Sequence, residues 1–149
     1  MKLLKWLSVA DRFTKAYLDQ RLEPLGINSS QHMYLLKICG NPGISQDSLL
    51  ETFYVHPSNI VRTVAALERK GFLTRKPSDK DRRTWKLYPT EKALSIAEQV
   101  RGTCDEAERF FMEGMDKGKQ DVFLQMLTQL GERASLELGI TRKKDEFDA

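Results

Sequence analysis

A chain of 149 residues with 40% hydrophobic content is long enough for one core and short for two independent ones, so one domain or two tightly merged halves is expected. The formal net charge is only +3, yet from His56 to Lys92 ten Lys/Arg stand against four Asp/Glu, and the remainder of the chain is net acidic. Positive charge gathered into one quarter of a chain suits a surface that neutralises phosphates by displacing counterions.

The opening stretch MKLLKWLSVADRF is interrupted by Lys5, Asp11 and Arg12, which argues against a signal peptide. No run approaches the ~20 apolar residues a membrane span needs. Two cysteines, Cys39 and Cys104, without CxxC spacing suggest neither a disulfide framework nor a zinc cluster, and no cofactor is expected. A soluble, cytoplasmic protein with no membrane partner follows.

In chain order, Leu3, Leu7, Ala10, Phe13, Tyr17 and Leu22 recur at helical spacing and mark one amphipathic helix over 3–22, ending before Glu23-Pro24-Leu25-Gly26. Asn28 or Ser29 can cap a second helix through Met33, Leu36 and Ile38 to Gly40. Asn41-Pro42-Gly43 is a turn, and Ser45 can cap a short third helix from Gln46 to Phe53. Pro57 sits where its missing N–H costs nothing, and Gly71 supplies a left-handed stop, so a fourth helix spans about 57–70.

The period then changes. Phe72–Lys76 and Thr84–Tyr88 read as strands around a polar turn at 77–81, forming a β-hairpin with a basic loop. Thr90 caps a long helix with an expected buried stripe of Leu94, Ala97, Val100, Cys104, Ala107 and Phe111. After a break at 114–118, Phe123, Met126, Leu127, Leu130, Ala134 and Leu138 stripe a last helix stopped by Gly139, and 141–149 is a charged tail expected to fray.

Three short helices followed by a basic two-stranded hairpin is the order of a winged helix-turn-helix. The fold class expected is therefore mainly α with a small β-hairpin wing, a winged lobe joined to a helical dimerisation region. On the helix after Pro57, Ile60, Val64 and Leu67 form the inward stripe and leave Ser58, Asn59, Arg62, Thr63 and Arg69 outside, where short polar and basic groups suit a major groove. Lys76, Lys80, Arg82 and Arg83 crowd the hairpin, and adjacent arginines on a protruding loop suit a narrow minor groove. The bland readings are a solvated helix face and a charged tip that discourages edge pairing, with Asp81 simply holding Arg83.

Gly26-Ile27 and Gln31, Ile44-Ser45-Gln46, Pro57-Ser58-Asn59-Ile60-Val61-Arg62, Leu67 to Arg75, Asp81-Arg82-Arg83 and Pro89-Thr90-Glu91-Lys92 together resemble the MarR family of multiple-antibiotic-resistance regulators. The resemblance covers about 25–95, and its most specific part is Asp81-x-Arg83 followed by Thr90-Glu91. Pro89 replaces the family's usual Leu and Ala93 its usual Gly, departures that bear on how the last wing strand joins the long helix. The resemblance implies a homodimer built from 1–24 and 90–140, a DNA-binding lobe over 25–89, and binding to a pseudo-palindromic operator on double-stranded DNA, as a repressor. It places base reading and backbone contact on Ser58, Asn59, Arg62 and Thr63 in the groove and on Arg82 and Arg83 at the wing, where the basic loop adds Lys80; Ser29, Gln31, Ser45 and Gln46, at helix N-termini, can donate to phosphates. The apolar residues Trp6, Phe13, Phe110, Phe111 and Phe123 argue independently for an interface, being more than a winged lobe can cover.

Family members commonly release DNA on binding a small phenolic or carboxylated molecule, and Phe13, Tyr17, His32, Met33 and Leu36 are the candidate lining of such a pocket. Ordinary core packing is the competing reading of each. Cys39 at a helix end, where the dipole opposes a thiolate, and Cys104 on an apolar stripe read as structural thiols. Two histidines, His32 and His56, with no phosphate-binding glycine loop and no metal spacing, make an enzyme the weakest alternative. The stronger rival is a winged helix serving as a protein-interaction module, for which the cation cluster has no use.

Overall fold

The computed structural model describes residues 1–53 and 55–140; the expected tail at 141–149 lies outside the described residues. In chain order they form α1 (Lys2–Leu22), a 3-10 turn (Glu23–Leu25), α2 (His32–Gly40), β1 (Ile44–Ser45), α3 (Gln46–Phe53), α4 (Pro57–Arg69), β2 (Leu73–Pro77), β3 (Trp85–Pro89), α5 (Glu91–Phe111) and α6 (Lys117–Glu137).

The helices fall where apolar periodicity places them, while the hairpin is larger than expected. The dipeptide Ile44-Ser45 adds to β3 as a third antiparallel strand, with Ile44 opposite Leu87 and Ser45 opposite Lys86, giving the order β1-β3-β2. The turn that delivers it explains the geometry: Gly43 has φ 87° and the Ile44 amide donates to the Asn41 carbonyl at 3.0 Å, a reversal that Pro42 starts and only a left-handed residue completes. The wing strands each shift one residue from their expected limits, with Leu73 opposite Pro89 and Pro77 opposite Trp85.

One core runs through the winged lobe. Leu22 of α1, Leu35 and Ile38 of α2, Leu49 of α3, Ile60, Val64 and Leu67 of α4, Leu87 of β3 and Val100 of α5 belong to one buried cluster. One cap and one buried stripe differ from expectation. Asn28 Oδ1 accepts from the Ser30 amide and hydroxyl and so closes the turn before α2, whose N-cap position is Gln31. On α5, Ala93 is buried and Leu94 half exposed, so the inward stripe starts one residue earlier than the sequence pattern suggests.

The join between wing and α5 holds despite Pro89 and Ala93. The Thr90 amide donates to the Phe72 carbonyl, which continues the ladder past Pro89, and Thr90 Oγ1 both accepts from the Ala93 amide and donates to the Gly71 carbonyl at 2.6 Å. Asp116 caps α6 through Oδ1, and α6 has no buried residue within the single chain.

Candidate nucleic-acid interface

Helix α4 is fixed at both ends. Pro57 occupies its first turn, and the ring Nδ1 of His56 accepts from the Ser58 amide at 3.2 Å. Histidine is not a usual cap, and sequence reasoning assigns this residue no role; its signal is a polar ring one residue before a helix-starting proline. At the far end Gly71, φ 80°, lets the Phe72 amide reach back to the Leu67 carbonyl at 2.9 Å. Between the caps Ile60, Val64 and Leu67 anchor the inner face, while Ser58, Asn59 and Arg62 are exposed and Thr63 lies half-buried on the flank.

The exposed set also contains Val61, to which sequence reasoning gives no place on the outer face. Ser58 Oγ lies 2.8 Å from His56 Nδ1, so this hydroxyl has a fixed neighbour.

The wing is held by its backbone. The Ser78 amide donates to the Thr84 carbonyl, the Thr84 amide to the Asp81 carbonyl, and the Arg83 amide to Asp81 Oδ1, all at 3.0 Å. Asp81 therefore shapes the turn. It also lies 3.5 Å from Arg83 Nε, but the Arg83 side chain is 93% exposed, so the pair does little to withdraw its charge from solvent. Lys80 and Arg82 are exposed beside it. The wing is tied back to α4 by Arg75, which donates from Nε and from a terminal nitrogen to the two oxygens of Glu68, each at 3.0 Å, and lies over the Trp85 ring at 4.9 Å.

Among the four expected phosphate contacts, the side chains of Gln31, Ser45 and Gln46 are engaged or shielded within the fold. Gln31 is buried and its Oε1 accepts from Lys70 Nζ at 2.8 Å, so it braces α2 against the end of α4. Ser45 Oγ accepts from the Ser48 amide, the capping role expected of it, and contacts the Ser48 hydroxyl at 2.7 Å. The Ser29 amide donates to Asp19 Oδ1 of α1 at 2.7 Å. Gln46 is half-buried with its Oε1 shielded from solvent.

The five candidate pocket residues occupy different settings. Leu36 belongs to the core. Tyr17 stacks on Phe110 at 4.7 Å with Phe111 edge-on at 5.0 Å, and the Arg21 guanidinium covers its ring at 3.4 Å. Phe13 and Met33 are exposed. His32 is half-buried and donates from Nδ1 to the Ser29 carbonyl at 2.8 Å, with its pKa lowered by burial against the opposing pull of that bond and of Asp19.

A lowered imidazole pKa means that the unfolded chain binds this proton more readily than the native one. The contribution of His32 is thus complete above the ordinary value of 6.5 and is lost as pH falls from there through the lowered native value. Melting temperatures measured across that window are expected to drop on acidification in the wild type and to drop less in His32→Gln. Equal slopes would exclude His32 as the titrating group.

Burial raises both thiols, that of Cys104 to about 11, with Glu108 and Asp105 adding to the rise. Both cysteines are free and half-buried, which keeps them protonated and poor nucleophiles near neutrality. Among the described residues no His/Cys/Asp/Glu group could hold a metal ion, and no helix is long and apolar enough to cross a membrane.

A groove-sized helix braced by two others and followed by a hairpin with a cationic loop, itself extended to three strands by β1, defines a winged helix-turn-helix protein. The family model of the MarR family matches residues 27–85, which span most of the winged lobe. The chain is 22% identical over 146 residues to the HTH-type transcriptional regulator YybA of Bacillus subtilis (strain 168), covering 98% of this chain and 97% of that one. Among solved structures, that of MarR is 28% identical with a TM-score of 0.73, covering 92% of this chain and 93% of its own. A chain from Listeria monocytogenes, crystallised complexed with 26mer DNA, is 20% identical with a TM-score of 0.79, covering 95% and 97%.

Proposed function

We propose that the protein is a sequence-specific regulator of transcription, acting as a repressor that binds a pseudo-palindromic operator as a cytoplasmic homodimer. The observation that carries this reading is the shared presentation of exposed Ser58, Asn59 and Arg62 on α4 with exposed Lys80, Arg82 and Arg83 on the wing tied to it. Thr63 completes the flank of the helix. Phosphate contact is assigned to the wing cations and to the start of α3 near Gln46, while Ser29, Gln31 and Ser45 are assigned bracing roles.

Pairing of two copies is supported by the apolar surface of the outer helices. Leu3, Leu4 and Trp6 on α1, Phe110 on α5 and Phe123 and Leu127 on α6 are all exposed in the single chain, a demand for cover that one winged lobe does not meet. A second copy satisfies it and supplies the second half-site reader. Release by a small aromatic or carboxylated effector is assigned to the region of Phe13, Tyr17, His32 and Met33.

Titrating the protein with duplex DNA at rising ionic strength tests the reading. Affinity is expected to fall steeply with salt. Arg83→Ala is expected to weaken binding to most sequences and to flatten the log-log slope by about 1 for each phosphate it no longer neutralises. Asn59→Ala, by contrast, acts mainly at one operator position. A protein-interaction module would ignore duplex at low salt, and that result would end the proposal.

A further inference from the structure

Helix α4 has four large aliphatic residues, and three of them, Ile60, Val64 and Leu67, are at most 1% exposed. Val61 is 57% exposed. A single exposed aliphatic is ordinary on a protein surface. Its position is what matters here. At 3.6 residues per turn, Val61 lies one turn beyond Ser58 and next to Arg62, so these three exposed residues share the side facing away from the core. Valine is also a poorer helix former than alanine, so at this place it contributes neither burial nor propensity to the folded chain.

We infer that Val61 is a specificity-determining residue whose methyl groups pack on the C5-methyl of a thymine in the major groove. Of the four bases only thymine displays a methyl there, and hydrogen-bonding side chains cannot sense it; an apolar contact can. Ser58 and Arg62 supply the polar contacts on either side. The β-branched side chain is already stiff at χ1, so little rotamer freedom is lost when it docks. This inference rests on the regulator reading above.

The test uses duplexes enriched from a random pool by the full-length protein. Each thymine of the enriched sequence is replaced in turn by deoxyuridine, which removes only the methyl. The wild type is expected to lose about fourfold in affinity at one position of each half-site, the worth of one buried methyl group. Val61→Ala, which loses the contact in both half-sites, is expected to bind the thymine duplex roughly 16-fold more weakly and to be indifferent to deoxyuridine at the same position. Val61→Thr keeps the side-chain shape and one outward methyl, and is expected to fall between them.

Exposure of the site makes folding of these variants insensitive to the change, and circular dichroism checks it. A deoxyuridine scan without a sensitive position, or a Val61→Ala protein that keeps the wild-type sensitivity, overturns the assignment while leaving DNA binding intact. Failure to enrich any duplex overturns the regulator reading itself.

Discussion

Phe123→Asp combined with Leu127→Asp is expected to leave the protein monomeric and to weaken duplex binding by about two to four orders of magnitude. The two residues lie four apart on α6, one turn above the other, and both are exposed in the single chain. If a second copy covers them, an aspartate at each place must be stripped of water without a partner, a cost of several kcal/mol for each dimer. A monomer can engage only one half-site at a time. It therefore loses the gain from linking two readers, which is on the order of 10² to 10⁴ for joined binding modules.

Sedimentation equilibrium and fluorescence anisotropy read the two losses separately. The buried cluster that joins the winged lobe to α1 and α5 contains no α6 residue, so the circular dichroism should survive. A double variant that still sediments as a dimer would move the interface away from α6.

Leu67→Ala is expected to cost about 2–5 kcal/mol, because Leu67 is fully buried and its removal leaves a cavity that the rigid surroundings fill only in part. For a chain of this size that lowers the melting temperature by roughly 4–20 °C. Alanine is the better helix former, but propensity returns only a few tenths of a kcal/mol and cannot offset the cavity. Val61→Ala lies on the same helix and deletes the same kind of group, yet should change stability by no more than about 0.5 kcal/mol. Comparing thermal melts at matched protein concentration checks both, and similar losses for the two would contradict the assignment of inner and outer faces.

The long helices are legible in the sequence because their periodicity extends over many turns, and α4 is bounded within a residue because Pro57 and Gly71 act through backbone chemistry that sequence displays. β1 is not legible: two residues carry no alternation, and Ile44 and Ser45 become a strand only because a tertiary neighbour, β3, offers them a ladder. The shifted stripe on α5 has a similar cause. Leu94 looks like the better core residue, but the close approach of the wing base favours the small Ala93.

Within the candidate interface, the charged residues can be found from composition and order. Side chains working inward cannot. Gln31 resembles a surface donor until its bond to Lys70, 39 positions away, is known. His56 falls outside the usual capping residues, and Val61, an apolar residue beside the stripe of Ile60, Val64 and Leu67, is assigned to neither face by the sequence. In each case local identity is outweighed by a partner, or by the lack of one, in three dimensions.

The Thr90 hydroxyl bonds both to the residue that stops α4 and to the first turn of α5, and this has a mechanical result when joined to the Glu68–Arg75 fork. Groove helix and hairpin are pinned to one another and to the root of the long helix, so they pivot as a single rigid head. A tilt of that root swings both through the same arc. In the homodimer proposed above, the separation between two such heads would be the adjustable quantity, and a ligand that altered it would change grip on a whole operator without altering the fit at either half.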